Sequence, residues 1–197
     1  GEPLGGGMPW MDAQVRPHTG FPGMPGSTSG RTYMWYTGTP LFPFGYGLSY
    51  TTFSLGWAGG AAPPPAAVPL SGGGAAGLTA VEFAVEVTNT GSVAGKETVL
   101  AYWIPPRQVD PLLKRQLFSF NGAYLEPGES TVLHFALLNG HNLSSVAENG
   151  DRFLAPGDYT VELSRGHGTT LTATVTLTGS TQTVDTFPSR WVEGHEV

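Results

Sequence analysis

Cysteine is absent from all 197 residues, which excludes disulfides, thiolate metal sites and a cysteine nucleophile. Charge is scarce: Asp, Glu, Lys and Arg make up 12% of the chain, about half the usual share for a globular protein. Nine Lys and Arg are scattered against fifteen Asp and Glu, giving a net charge of -6. Without a basic stripe to displace counterions from phosphates, nucleic acid is excluded as a partner. No apolar run reaches the roughly 18 residues that a membrane span requires. Gly1 to Gly7 has neither the basic start nor the apolar stretch of a signal peptide, and an opening without Met reads as a fragment or a processed chain. The five His are dispersed, with no pair at metal-ligand spacing, so no metal or cofactor is expected.

What the chain does have is glycine, proline and rings. Residues 1–57 hold Trp10, Phe21, Tyr33, Trp35, Tyr36, Phe42, Phe44, Tyr46, Tyr50 and Phe53 among many turn formers. So many turn formers argue against a regular helix there. A flexible linker is excluded too, because such linkers are poor in aromatics. Each ring that finds cover stabilises by about 2–3 kcal/mol. This segment is therefore an inter-domain connector laid in extended form across a covering surface, which need not belong to this chain. Residues 58–78 (AGGAAPPPAAVPLSGGGAAGL) read as a low-complexity Gly/Ala/Pro linker or loop.

From 79 to 178 the pattern is that of an all-β sandwich. Val81, Phe83, Val85 and Val87 alternate with Glu82, Ala84, Glu86 and Thr88, a period of two. Thr98 to Ile104 is apolar on both faces and stops at Pro105-Pro106, as a central strand would. Val99, Ala101 and Trp103 can fill the core; Leu100, Tyr102 and Ile104 then need cover from segment 31–53 or from another domain. Leu133, Phe135 and Leu137 follow the turn Pro127-Gly128, and Asn149-Gly150 signals a hairpin. Tyr159, Val161 and Leu163, then Leu171, Ala173, Val175 and Leu177, complete two more inward rows. About seven strands with turn signals every 8–12 residues fit an immunoglobulin-like (fibronectin type III-like) β-sandwich preceded by the aromatic connector. Pro156-Gly157-Asp158-Tyr159 has the spacing of a tyrosine corner, and equally of an ordinary core Tyr after a turn. Residues 179–197 form a C-terminal tail of weak strand potential, with Phe187 and Trp191 to pack on something.

Two groups of motifs resemble glycoside hydrolase family 3, in its β-xylosidase and β-glucosidase branches. Gly30-Arg31-Thr32-Tyr33-Met34-Trp35-Tyr36 and Phe44-Gly45-Tyr46-Gly47-Leu48-Ser49-Tyr50-Thr51-Thr52-Phe53 are similar to that family's GRTYRxY and FGxGLSYTxF segments. Met11-Asp12-Ala13-Gln14-Val15-Arg16-Pro17 is similar to its TDMxxRP stretch, with Met11 and Ala13 departing from it. Val87 to Gly91 with Gly95-Lys96-Glu97 resembles VxNTGxxxGxE, and Lys114 to Phe120 resembles KxLxGF with Ser119 at the usual Gly. Leu125 to Glu129 and Pro156 to Val161 match two further turns.

The resemblance implies a non-catalytic C-terminal accessory module of a retaining β-glycosidase. Both of that family's catalytic carboxylates precede this segment, and no carboxylate here takes a matching position. Its partners would be the catalytic domains, in the same or a separate chain, or a polysaccharide. Arg31, Tyr33, Trp35, Tyr36, Phe44, Tyr50 and Phe53 become the docking residues, with aromatics supplying desolvated area and Arg31 a planar donor. Tyr102 and Trp103 are candidates for sugar stacking, against the plainer reading of core packing. Asn142-Leu143-Ser144 is an N-glycosylation sequon, in keeping with an extracellular or cell-wall setting. The alternatives are a self-standing carbohydrate-binding module and a structural interaction module.

Overall fold

The structure is a computed structural model, and it describes residues 29–70, 81–137, 143–147 and 149–186. One short helix, α1 (Thr32–Trp35), precedes the strands. Those are β1 (Phe53–Trp57), β2 (Ala66–Leu70), β3 (Val81–Asn89), β4 (Gly95–Ile104), β5 (Gln116–Leu125), β6 (Ser130–Leu137), β7 (Ser145–Val146), β8 (Arg152–Leu154), β9 (Gly157–Ser164), β10 (Thr170–Gly179) and β11 (Gln182–Asp185).

One sheet has the order β1-β3-β6, and the facing sheet runs β2-β10-β9-β4-β5. The period-two rows are what hold the layers together. Phe83, Val85 and Val87 from β3 meet Leu133, Phe135 and Leu137 from β6, and all are buried. Val99, Ala101 and Trp103 from β4, with Tyr159, Val161 and Leu163 from β9, close the core from the other side. Trp103 lies 5.9 Å from the Tyr159 ring, so an aromatic pair fills the centre of a sandwich that has no disulfide. This pairing of strands is that of an immunoglobulin-like sandwich. The Tyr159 hydroxyl donates to the Ala155 carbonyl at 3.0 Å, which makes it a tyrosine corner rather than a plain core residue. Burial pushes the Tyr159 phenol up to about 12, against the lowering effect of that same bond.

Three boundaries differ from the sequence reading. The linker 58–78 contains β2, whose Val68 and Leu70 are buried and which pairs in parallel with β10 from Ala66↔Val175 to Leu70↔Gly179. Its alternation is only two apolar residues deep, and the prolines around it hide the pattern. Pro69 is tolerated because β2 is an edge strand, where a missing N–H costs no ladder bond. The connector likewise ends early: Phe53 to Trp57 is β1, antiparallel to β3, with Phe53 and Leu55 in the core. At the other end β11 pairs with β8, giving the start of the tail a strand. Trp10, Phe21, Asn142, Phe187 and Trp191 lie outside the described residues.

A buried polar hub ties the connector to both sheets. Asn89 continues the inward row of β3 and is fully buried. Its Oδ1 accepts from Thr51 Oγ1 at 2.7 Å and from the Gly91 N–H at 3.1 Å. Its Nδ2 donates to the carbonyls of Val93 (2.8 Å) and Leu125 (3.0 Å). Its own backbone pairs with Glu129 and Gly128. Thr51, the Asn89-Thr90-Gly91 turn and the Leu125-to-Glu129 turn therefore meet at one satisfied amide.

Candidate functional site

The connector crosses the outer face of β4. The Tyr33 ring packs at a tilt against Tyr102 with centroids 5.7 Å apart, and its hydroxyl accepts the Leu117 N–H at 3.2 Å. Farther along, the chain closes onto Leu100 at Gly45, where an added Cβ would overlap the Leu100 Cδ1. Gly45 and Gly166 also touch backbone to backbone, both at positive φ, so neither position accepts a side chain. The outward residues of β4 thus find their cover within this chain. Tyr102 and Trp103 are completely buried, which removes both as sugar-stacking platforms. Burial also drives the Tyr102 phenol up to about 12, with Arg115 pulling the other way.

The cover itself remains uncovered. Leu41 is 88% exposed, Phe42 64%, Leu48 90% and Tyr50 99%, with Phe44 and Tyr46 also exposed. On β5, Phe120 and Tyr124 stand opposite Leu100 and Lys96 and are exposed as well, so they extend the surface beside the strip. Exposed apolar side chains in this number make the strip a candidate interaction surface. The seven candidate docking residues divide accordingly. Arg31, Phe44 and Tyr50 are on the surface, and Tyr33 and Tyr36 are half-buried. Trp35 and Phe53 belong to the core, where they anchor the connector to its own sandwich.

Between α1 and the 40–44 turn lies a cavity of about 770 Å³, lined by Tyr33, Tyr36, Phe42 and Phe44 and rimmed by Arg31, Lys114, Arg115 and Glu162. Arg115 is ion-paired with Glu162 and lies 4.4 Å above the Tyr102 ring. Lys114 Nζ donates to the Tyr36 carbonyl at 2.8 Å. A second pair, Arg165–Glu97 at 2.7 Å, is nearly buried, and Arg165 also reaches the Phe53 carbonyl at 2.7 Å. No sequence motif announced these two pairs. Glu97 and Arg165 are 68 residues apart, so only the fold brings them together.

Three further carboxylates have structural work. Asp110 accepts the Leu112 and Leu113 N–H groups, Glu129 the Glu126 N–H, and Asp158 the Thr176 hydroxyl. Among the described residues no group of three or more His, Asp and Glu could hold a metal ion, and no helix is long and apolar enough to cross a membrane.

A probable exo-1,4-β-xylosidase of Aspergillus flavus is 35% identical over 187 residues, covering 92% of this chain and 23% of that protein. Over most of its length the chain is similar to enzymes of glycoside hydrolase family 3. Its match is to the C-terminal region of the family's enzymes. The probable exo-1,4-β-xylosidase of Aspergillus oryzae is 34% identical, with 92% of this chain and 22% of that protein covered. Among solved structures, a family 3 exo-β-xylosidase bound to a xylobiose aziridine probe superposes with a TM-score of 0.68 at 27% identity, over 92% of this chain and 23% of the other. A family 3 β-glucosidase of Bifidobacterium adolescentis gives 0.57 at 31% identity, over 74% and 20%. No protein-family profile matches the chain. The chain thus spans less than a quarter of the family 3 relatives named here.

Proposed function

We propose that this chain is the non-catalytic, fibronectin type III-like accessory module of an extracellular β-xylosidase-like or β-glucosidase-like enzyme of family 3. It docks through the connector face onto the enzyme's catalytic domains and stabilises them during hydrolysis of glycosidic bonds. The observation that carries this reading is the row of exposed apolar side chains from Leu41 to Tyr50. It lies on a chain that covers 23% of a probable exo-1,4-β-xylosidase. A retaining glycosidase needs two carboxyl groups about 5–5.5 Å apart across a sugar cleft. The buried carboxylates described above are instead engaged with arginines and backbone amides. Burial of Tyr102 and Trp103 disfavours the self-standing carbohydrate-binding alternative, which relied on their rings.

The test compares the chain alone with a polypeptide that also carries the catalytic domains. The chain alone releases no sugar from aryl β-xylosides or β-glucosides. In the longer protein, Phe42→Ser combined with Tyr50→Ser shortens the half-life of activity at elevated temperature and leaves KM unchanged. Turnover by the pure 197-residue chain, or an unchanged half-life, overturns the proposal.

A further inference from the structure

We infer that the cavity rimmed by Arg31 is the seat of an acidic side chain, an Asp or Glu carried on a loop of the catalytic domains. This inference rests on the docking reading and adds the chemistry of the partner's contact. Arg31 is exposed, and among the described residues no acceptor meets its guanidinium. The contrast with Arg115 and Arg165 is direct, since each of those already holds a carboxylate. Around the cavity three cations, Arg31, Lys114 and Arg115, face one carboxylate, Glu162. Two positive charges are left over, in a chain whose net charge is -6. Lys114 commits one donor to the Tyr36 carbonyl and keeps two more.

The walls favour a carboxylate that arrives on a protein. Tyr33, Tyr36, Phe42 and Phe44 would exclude water once the mouth is closed, and a charge-assisted hydrogen bond strengthens as its surroundings dry. At about 770 Å³ the space holds far more than a carboxyl group, so the acid must come with neighbouring side chains attached. The same Phe42 and Phe44 belong to the exposed strip, which makes cavity and strip one continuous surface. The residue that follows Arg31 is held in an unusual state. Thr32, a β-branched residue, has φ +62, a conformation that L-residues rarely adopt. Its carbonyl accepts the Tyr36 N–H at 3.0 Å. Strain of this sort collects where a side chain must be presented in a fixed direction.

Arg31→Lys supplies an amine that a carbodiimide can join to any carboxylate in contact with it. In the polypeptide carrying the catalytic domains, this variant is treated with carbodiimide and mapped by mass spectrometry. Hydroxyl-radical labelling of Phe42 and Tyr50 is read on the same sample. The expected result is an amide from the introduced amine to an Asp or Glu outside these 197 residues, with Phe42 and Tyr50 protected. Protected rings with that amine joined only to an acid of this chain, such as Glu162, or to none, overturn the carboxylate seat and leave docking intact. Labelled rings with no such amide overturn docking and the seat together. Arg31→Gln, which offers no amine, should lose the amide entirely; its persistence would assign the signal to Lys114 and count against Arg31.

Discussion

Leu41 to Tyr50 and the interior of the sandwich are built from the same kinds of residue and end in opposite surroundings. The connector leaves Leu41, Leu48 and Tyr50 almost wholly in water, while Val99, Trp103, Tyr159 and Val161 are completely buried a layer below. Both regions are rich in apolar side chains, so composition alone does not separate them. What separates them is hydrogen-bonded register. In the sandwich every second residue is forced inward by the ladder of a neighbouring strand. The 41–50 strip has no ladder of its own. It is pinned at a few points, Tyr33 on Tyr102, Gly45 on Leu100 and Thr51 on Asn89, and between those pins its side chains face outward.

If that distinction is right, substitutions of similar size should have very different effects in the two regions. Phe135→Ala empties part of the core and should cost about 4 kcal/mol in urea unfolding of the chain. Asn89→Ala should cost about 3 kcal/mol, because Thr51, the Gly91 amide and two carbonyls lose their partner at once. Tyr159→Phe should cost about 1 kcal/mol for the single corner bond. Phe42→Ser or Tyr50→Ser should change the chain's own stability by no more than about 0.5 kcal/mol, as exposed positions do. A strip substitution as costly as Phe135→Ala would erase the distinction.

Alkaline pH sharpens the same contrast. Tyr102 and Tyr159 have phenols raised to about 12, both by burial, so the folded chain keeps protons that the unfolded chain gives up near the ordinary value of 10.0. Stability from this source is complete below pH 10 and is lost as pH rises from 10 toward 12. An absorbance titration should show two tyrosines ionising late. Tyr159→Phe should remove one of them and reduce the alkaline slope of stability.

Much of the sandwich could be read from sequence because its signal is local. The Val81–Val87 and Tyr159–Leu163 rows declare both strand and face within a few residues. β2 could not, since Val68 and Leu70 gain meaning only from β10, more than a hundred residues along the chain. Asn89 was legible in part: a polar residue at the next inward position after Phe83, Val85 and Val87 must be satisfied or absent. The site divides in the same way. That the rings of the connector needed cover was plain from composition, but which rings stay outside was not. Trp35 and Phe53 turned inward and Tyr50 outward through pairings set by distant strands. The cavity beside Arg31 gave no sequence signal, because its walls come from α1, the 40–44 turn, β4, the two residues before β5, and β9.

Hydroxyl-radical footprinting of Phe42, Tyr46 and Tyr50 tests the docking claim most directly, comparing the 197-residue chain with a polypeptide that includes the catalytic domains. Heavy labelling of all three in the chain, falling severalfold in the longer protein while buried Tyr159 stays unlabelled in both, is the predicted result. Equal labelling of the three rings in the two proteins would contradict it.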